Sequence, residues 1–352
     1  MNELKPEGYD VISVETWVKN HVSSLEPPFI WTQLPGGHSN LTYQVEDTKG
    51  TRAVIRRPPR GKLLPKAHDM SREWAVISAL FGTDVPVPEP LAFCEDTSIT
   101  GAWFYIMGFV QGSPLYNTDD LNNLVPEASR KKLARSFIDK LAALHNLKPD
   151  EIGLSKLGRK DGYVARQVKT WYRSWTSSCE AAELDDPRAH RLQRFFLDNL
   201  PEQELARVVH GDYGFHNTLV GSDDTVSAIV DWEISTLGDP LADLAYALMS
   251  WQTSDSSAPR NPDSITAQPG FPNREYLVER YHRITGLDLS NLNFYLGFNR
   301  WKSAAIVHGV YARYMEDQKS TVGVDLIKMR GDITRNLEES ERIIANLTKD
   351  VI

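Results

Sequence analysis

The chain changes character at Gln111-Gly112-Ser113-Pro114, and that change most limits what it can fold into. Ahead of this turn-rich tetrapeptide, apolar residues alternate in short runs; beyond it they recur at helical spacing. Residues 41–45 alternate like a strand, 51–56 read as a second, and the two make a hairpin around 47–50. Residues 91–94 and 103–110 are two more strands. Helical spacing is expected at 13–25, with Ser13 as cap, and at 70–80 through Trp74, Ile77 and Leu80. Between them and the later strands, Val85-Pro86-Val87-Pro88-Glu89-Pro90 is extended, because each proline disfavours helix in the residue before it. After the break, 127–146 carries Leu133, Phe137, Leu141 and Leu144 on one face. Further helices are expected at 163–177, 188–199, 242–251, 274–285, 293–314 and 325–347, with 253–272 a long loop rich in Ser, Pro, Asp and Gly. A chain of 352 residues is too long for one core. The expectation is an α+β protein: a small β-rich lobe over 1–110 and a larger, mainly helical lobe over 111–352.

A formal net charge of −8 argues against general nucleic-acid binding, which needs a basic face. Two cysteines, Cys94 and Cys179, cannot build a disulfide framework or a cysteine zinc site, and they fit a reducing cytoplasm. The first ten residues are polar, and no apolar run approaches the roughly 18 residues of a membrane span. A cytoplasmic protein with neither nucleic-acid nor membrane partners is expected.

Chemistry concentrates in Val209-His210-Gly211-Asp212-Tyr213-Gly214-Phe215-His216-Asn217 and in Ala228-Ile229-Val230-Asp231-Trp232-Glu233. Asp212 follows an apolar pair, Val208-Val209, in a loop from which a side chain can enter a cleft. Asn217 stands five residues later, and a hairpin turning at 221–225 brings Asp231 back beside it. One carboxylate to orient an attacking hydroxyl and two oxygen ligands for magnesium are what phosphoryl transfer from ATP needs. Magnesium takes few protein carboxylates when phosphates complete its octahedron, so one Asp and one Asn suffice. Any single Asp here also reads as a turn or cap residue; the joint pattern is what carries chemistry.

At this point the chain resembles the aminoglycoside phosphotransferase and choline kinase family, small-molecule relatives of protein kinases. His210-Gly211-Asp212 with Asn217 is similar to that family's catalytic loop, and Asp231-Trp232-Glu233 to its second magnesium motif. Gly238-Asp239-Pro240-Leu241-Ala242-Asp243 resembles the element that follows. The likeness reaches back to Gly36-Gly37-His38-Ser39-Asn40, Val54-Ile55-Arg56-Arg57, Arg72-Glu73 and Phe104-Tyr105-Ile106-Met107. It is nearest to the subgroup that includes the kinase domain fused to some acyl-CoA dehydrogenases, which Gly61-Lys62-Leu63-Leu64-Pro65 and residues 163–168 also resemble.

The resemblance implies a protein-kinase-like bilobal fold using ATP and magnesium, with Asp212 catalytic and Asn217 and Asp231 as metal ligands. Gly36 and Gly37 would admit the phosphates to backbone N–H groups, with Ser39 and Asn40 as further donors. Taken alone, Gly-Gly is a turn. Arg56 stands where protein kinases place a lysine and would pair with the phosphates and Glu73; neighbouring Arg57 competes for that role, since the two alternate faces of a strand. Met107 and Phe109 belong to the implied adenine-contacting hinge, 107–110. Asp239 and Asp243 are read as bracing the catalytic loops or capping the next helix. Too few residues separate Glu233 from Pro240 for a phosphorylatable activation segment, which implies constitutive activity.

The acceptor has three readings. A hydroxyacyl-CoA or related hydroxy acid derivative is implied by the subgroup and favoured by the basic series Arg52, Arg56, Arg57, Arg60, Lys62 and Lys66, and by Arg and Trp on the later helices. An aminoglycoside or choline-type amino alcohol needs an acidic pocket, for which Glu180, Glu183, Asp185 and Asp186 are candidates. The third reading is an inactive nucleotide-binding scaffold.

Overall fold

Asp10, not Ser13, opens the first helix: its carboxylate accepts the Ser13 N–H at 3.1 Å and α1 runs Val11–His21. The structure is a computed structural model describing residues 6–34, 40–60, 69–254, 261–316, 318, 321 and 323–349. By packing, the chain divides into two units. One comprises Met1–Ala143, Asp150–Leu157 and Gly214–Ser235; the other comprises Leu144–Pro149, Gly158–Tyr213 and Thr236–Ile352.

The first unit is built on an antiparallel sheet of β1 (Ile30–Gln33), β2 (Leu41–Glu46), β3 (Arg52–Arg57), β4 (Pro90–Cys94) and β5 (Phe104–Gly108), in the order β1-β2-β3-β5-β4. Val14 and Val18 of α1, with Val22 just past its end, pack on Val45, Ala53, Ile55, Phe104 and Ile106, so one sheet face is a dry core. Asp69 accepts the N–H groups of Ser71 and Arg72 and starts α2 (Met70–Leu80), whose Trp74 stacks on Phe93 at 5.8 Å. After the short α3 (Thr97–Thr100) and β5, a chain segment through Gly112 and Ser113 leads to α4 (Thr118–Leu124) and α5 (Arg130–Asn146). Gly112 has φ near 157°, and a Cβ there would lie 2.8 Å from the Ser227 hydroxyl and 2.9 Å from the Val220 carbonyl, so only glycine fits. The neighbouring Ser113 exchanges both backbone hydrogen bonds with Val220, at 3.1 and 2.9 Å.

The second unit opens with α6 (Tyr163–Ala182), α7 (Pro187–Asp198) and β6 (Arg207–Val209). The chain then returns to the first unit for the hairpin β7 (Thr218–Val220) and β8 (Val226–Ile229). Back in the second unit come β9 (Thr236–Gly238), α8 (Pro240–Leu248), α9 (Arg274–Thr285), α10 (Leu292–Met315) and α11 (Leu326–Lys349). Helix α10 is apolar on most sides and is the core of this unit, packed by α6, α7, α8 and α11. Phe196 of α7 meets Phe294 and Phe298 edge-on at 5.4 and 5.9 Å.

The small antiparallel sheet and mostly helical remainder match the expected α+β class. Expected helices 70–80 and 274–285 have those ends in the structure. Strands β1 and β9 and the short helices α3 and α4 were not anticipated, and β6 was expected only as the short apolar pair Val208-Val209 ahead of the Asp212 loop. Of the expected loop 253–272, the described part contains one 3-10 turn, Ile265–Ala267. Among the described residues no helix is long and apolar enough to cross a membrane.

Candidate functional site

Strand alternation decides which of two adjacent arginines faces a cavity. On β3, Ala53 and Ile55 point into the core beneath α1, and Arg57 follows them. Its guanidinium donates to the carbonyls of Thr100 (2.6 Å), Pro58 (3.0 Å) and Gly8. Val54 and Arg56 point the other way, into a cavity of about 310 Å³ within the first unit, a size suited to a small-molecule ligand. Met107, Phe109, Asn217 and Asp231 line the same cavity, with Leu219 and Val230 adding apolar surface.

Hairpin geometry brings Asn217 and Asp231 together. Thr218 pairs with Ile229, so the next pair outward is Asn217 and Val230, whose N–H donates to the Asn217 carbonyl at 3.0 Å. Asp231 follows at φ 66°, ψ 57°, a left-handed conformation that costs a non-glycine residue about 1–3 kcal/mol and recurs where a side chain must be aimed. Trp232, fully buried, donates its indole N–H to the Ile229 carbonyl at 3.0 Å and anchors the turn that follows.

Arg56 is held by two carboxylates. Its Nε lies 3.1 Å from Glu73 Oε2 and its Nη2 pairs with Asp231. Burial works against the guanidinium's charge, but Glu73 foremost, then Tyr105, Asp231 and Glu233, outweigh it and raise its pKa, so Arg56 is a fixed cation. Burial pushes the Glu73 carboxyl up, opposed by Arg56. Arg72 donates to the carbonyls of Leu157 and Ser235 at 2.8 and 2.9 Å, holding α2 and thereby Glu73.

The other expected nucleotide residues fall differently. Asn40 is buried, and its amide donates to Glu233 at 3.0 Å; neither it nor Glu73 lines the cavity. At the expected hinge, the N–H groups of Gly108 and Phe109 bond to the carbonyls of Glu89 (2.8 Å) and Arg52 (3.3 Å). Gly36, Gly37 and Ser39 lie outside the described residues.

Asp212 belongs to the second unit and takes its support there. Tyr246 of α8 donates its hydroxyl to Asp212 Oδ1. Burial, then the Asp212 charge and this hydrogen bond, push the Tyr246 pKa up, so the phenol keeps its proton. The loop ahead of Asp212 is clamped by buried Asp243, whose carboxylate accepts the N–H groups of His210 (2.7 Å) and Gly211 (2.9 Å) and faces His145 Nε2 at 3.3 Å. Asp239 caps α8 through the Leu241 N–H and accepts the Tyr295 hydroxyl at 2.5 Å. The Tyr246 and His145 contacts, and the 2.7 Å hydrogen bond between His145 Nδ1 and the Tyr281 hydroxyl, escaped sequence reading, because each joins positions far apart in the chain.

The basic series does not form one patch. Arg56 and Arg57 are buried on opposite faces, Arg52 sits 4.2 Å over the Phe109 ring, and Lys62 and Lys66 lie outside the described residues. Nor do the acids at 185–186 make an open pocket: Asp186 caps α7 and pairs with Arg188 at 2.6 Å, and Asp185 receives His190, Trp175 and Cys179. Trp175 and Trp301 are core residues, whereas Trp171 is half-buried.

Residues 30–277 match the model of the phosphotransferase enzyme family, and the chain belongs to that family. A human protein named acyl-CoA dehydrogenase family member 11 is 34% identical over 327 residues, covering 90% of this chain and 41% of that protein. Its chicken counterpart is 39% identical over 294 residues, covering 80% and 36%. The chain thus spans about two fifths of the length of these relatives. A solved Ralstonia eutropha structure, named as an aminoglycoside phosphotransferase, shares 29% identity at a TM-score of 0.77, covering 95% of this chain and 99% of that one. Choline kinase from Cryptosporidium parvum, 13% identical at a TM-score of 0.64 over 96% and 97%, shares the fold alone. The fold is kinase-like.

Proposed function

We propose that the chain is an ATP- and magnesium-dependent phosphotransferase acting on the hydroxyl of a small acyl-bearing molecule, a hydroxyacyl-CoA or related hydroxy acid derivative. The observation that carries this reading is the first unit's cavity, walled by Arg56, Asn217 and Asp231 together with the end of β5. Among the described residues no three His, Cys, Asp or Glu form a metal cage. One Asp and one Asn at adjoining positions nevertheless fit a magnesium ion shared with phosphates, and Asn217 and Asp231 would hold it. Bound there, magnesium neutralises charge on the transferred phosphoryl group. Arg56 is a fixed cation for the phosphates. Asp212, held by Tyr246 and standing five residues before Asn217 in the chain, orients the acceptor hydroxyl and receives its proton.

The acyl acceptor draws support from the names of the relatives and from the engagement of Asp185 and Asp186, two of the four acids on which an amino-alcohol pocket would draw. An inactive scaffold is disfavoured because all three catalytic positions are occupied. The test is an ATP-consumption screen over hydroxyacyl-CoA esters, free hydroxy acids, amino alcohols and aminoglycosides, with and without magnesium. Magnesium-dependent turnover confined to acyl acceptors is expected; turnover with amino alcohols alone, or none at all, would reject the reading.

A further inference from the structure

Lys302 is the only lysine buried among the described residues, 7% exposed in the middle of α10. Its ammonium makes no hydrogen bond or ion pair with any described residue. Two half-buried rings flank it instead: Trp171 of α6, centroid 5.9 Å away, and Tyr246 of α8 at 5.4 Å. Trp171 is fixed by its own hydrogen bond to Gln167 at 2.9 Å. Aromatic faces offset part of the cost of burying a cation, and the ammonium's donors are left to an oxygen that arrives from solvent.

The nearest acids do not supply that oxygen. Asp243 is engaged by His210, Gly211 and His145, and Asp212 is held by the hydroxyl of the ring that Lys302 faces. Burial depresses the Lys302 pKa, and the fields of Asp243 and Asp212 resist the change. Tyr246 therefore touches both groups, its ring facing the ammonium and its hydroxyl holding Asp212.

We infer that Lys302 is a specificity residue that receives the acyl oxygen, carboxylate or thioester carbonyl, of the acceptor whose hydroxyl Asp212 orients. A short hydroxyacyl chain laid along Trp171 and Tyr246 would join the two points. The same ammonium would repel choline or an aminoglycoside. This subsite rests on the acyl-acceptor reading above and deepens it.

The probes are 3-hydroxybutyrate and 4-hydroxybutyrate, each free and as its coenzyme A ester, against 1,3- and 1,4-butanediol, which keep the hydroxyl but lack the acyl oxygen. Lys302→Met is expected to raise KM for the acyl probes about 10–100-fold, the worth of a charge-assisted hydrogen bond, and to leave the diols within about twofold. Lys302→Arg should restore part of the loss. Methionine matches the volume and removes an unpaired charge, so Tm should hold or rise. An equal fall in kcat for acyl probes and diols, with a displaced pH profile, would show that Lys302 acts through Asp212 and overturn the proposal. So would a large drop in Tm, which would make the lysine a structural counter-charge. Calorimetric binding separates the two readings. If the acids bind in a Lys302-dependent way without being phosphorylated, the subsite stands and the phosphotransfer reading falls. If they are phosphorylated and Lys302→Met leaves their KM unchanged, the subsite alone falls.

Discussion

Arg56 and Arg57 are adjacent, identical in chemistry and opposite in job, and the difference is one step of strand alternation. Arg57 ties three backbone carbonyls around the first unit's core, so Arg57→Met should cost about 2–4 kcal/mol of stability and leave nucleotide affinity within twofold. Arg56→Lys keeps the charge but loses the fork that spans Glu73 and Asp231. It should weaken nucleotide binding about tenfold with little change in melting temperature. Calorimetry and nucleotide titration on both variants check the contrast; matching behaviour of the two would refute it. Sequence alone left the choice between these arginines open, because period-two alternation says that faces differ without saying which is the core. Lys302 was silent for a related reason. A lysine inside an apolar helix gains meaning only when α6 and α8 bring Trp171 and Tyr246 against it.

Elements with strong local signals were legible. Asp69 and Asn273 cap apolar-periodic segments, and helices 70–80 and 274–285 stand where their pattern puts them. Strands β6 and β9 have three residues each, too few for a period to register, and they exist because each supplies the other's hydrogen bonds. The hairpin carrying Asp231 was legible from Gly221 and its flanking apolar runs. The clamp on the loop before Asp212 was legible only as a general bracing role for Asp243. Burial alone would raise that carboxyl's pKa, but His145 foremost, then the field of His210 and the Gly211 N–H, more than compensate, and the net shift is downward. An acid with a depressed folded pKa adds stability above its unfolded pKa and loses it as pH falls through the folded value. The Tm gap between the wild type and Asp243→Asn should therefore be full above about pH 4 and close below it. A gap that widens in acid would contradict the clamp.

For the whole molecule, the fold class followed from the break at Gln111-Gly112-Ser113-Pro114, and the proposed chemistry rests on the spacing of Asp212, Asn217 and Asp231. The return of residues 214–235 to the first unit was not legible, since it depends on packing between segments a hundred residues apart. Trp232, buried beside Asp231, fixes the turn where protein kinases carry a mobile motif, so no activating phosphorylation is expected. The most direct test follows ³¹P resonances in one tube: unphosphorylated enzyme, ATP, magnesium and the best acceptor from the screen. The γ-phosphate signal should decline as a phosphomonoester signal grows in equal amount. Chelating magnesium should stop both changes, and Asp212→Ala should slow them about 10²–10⁴-fold. ATP lost only to inorganic phosphate, or a phosphomonoester formed at an undiminished rate by Asp212→Ala, would contradict phosphotransfer to a small-molecule hydroxyl at this site.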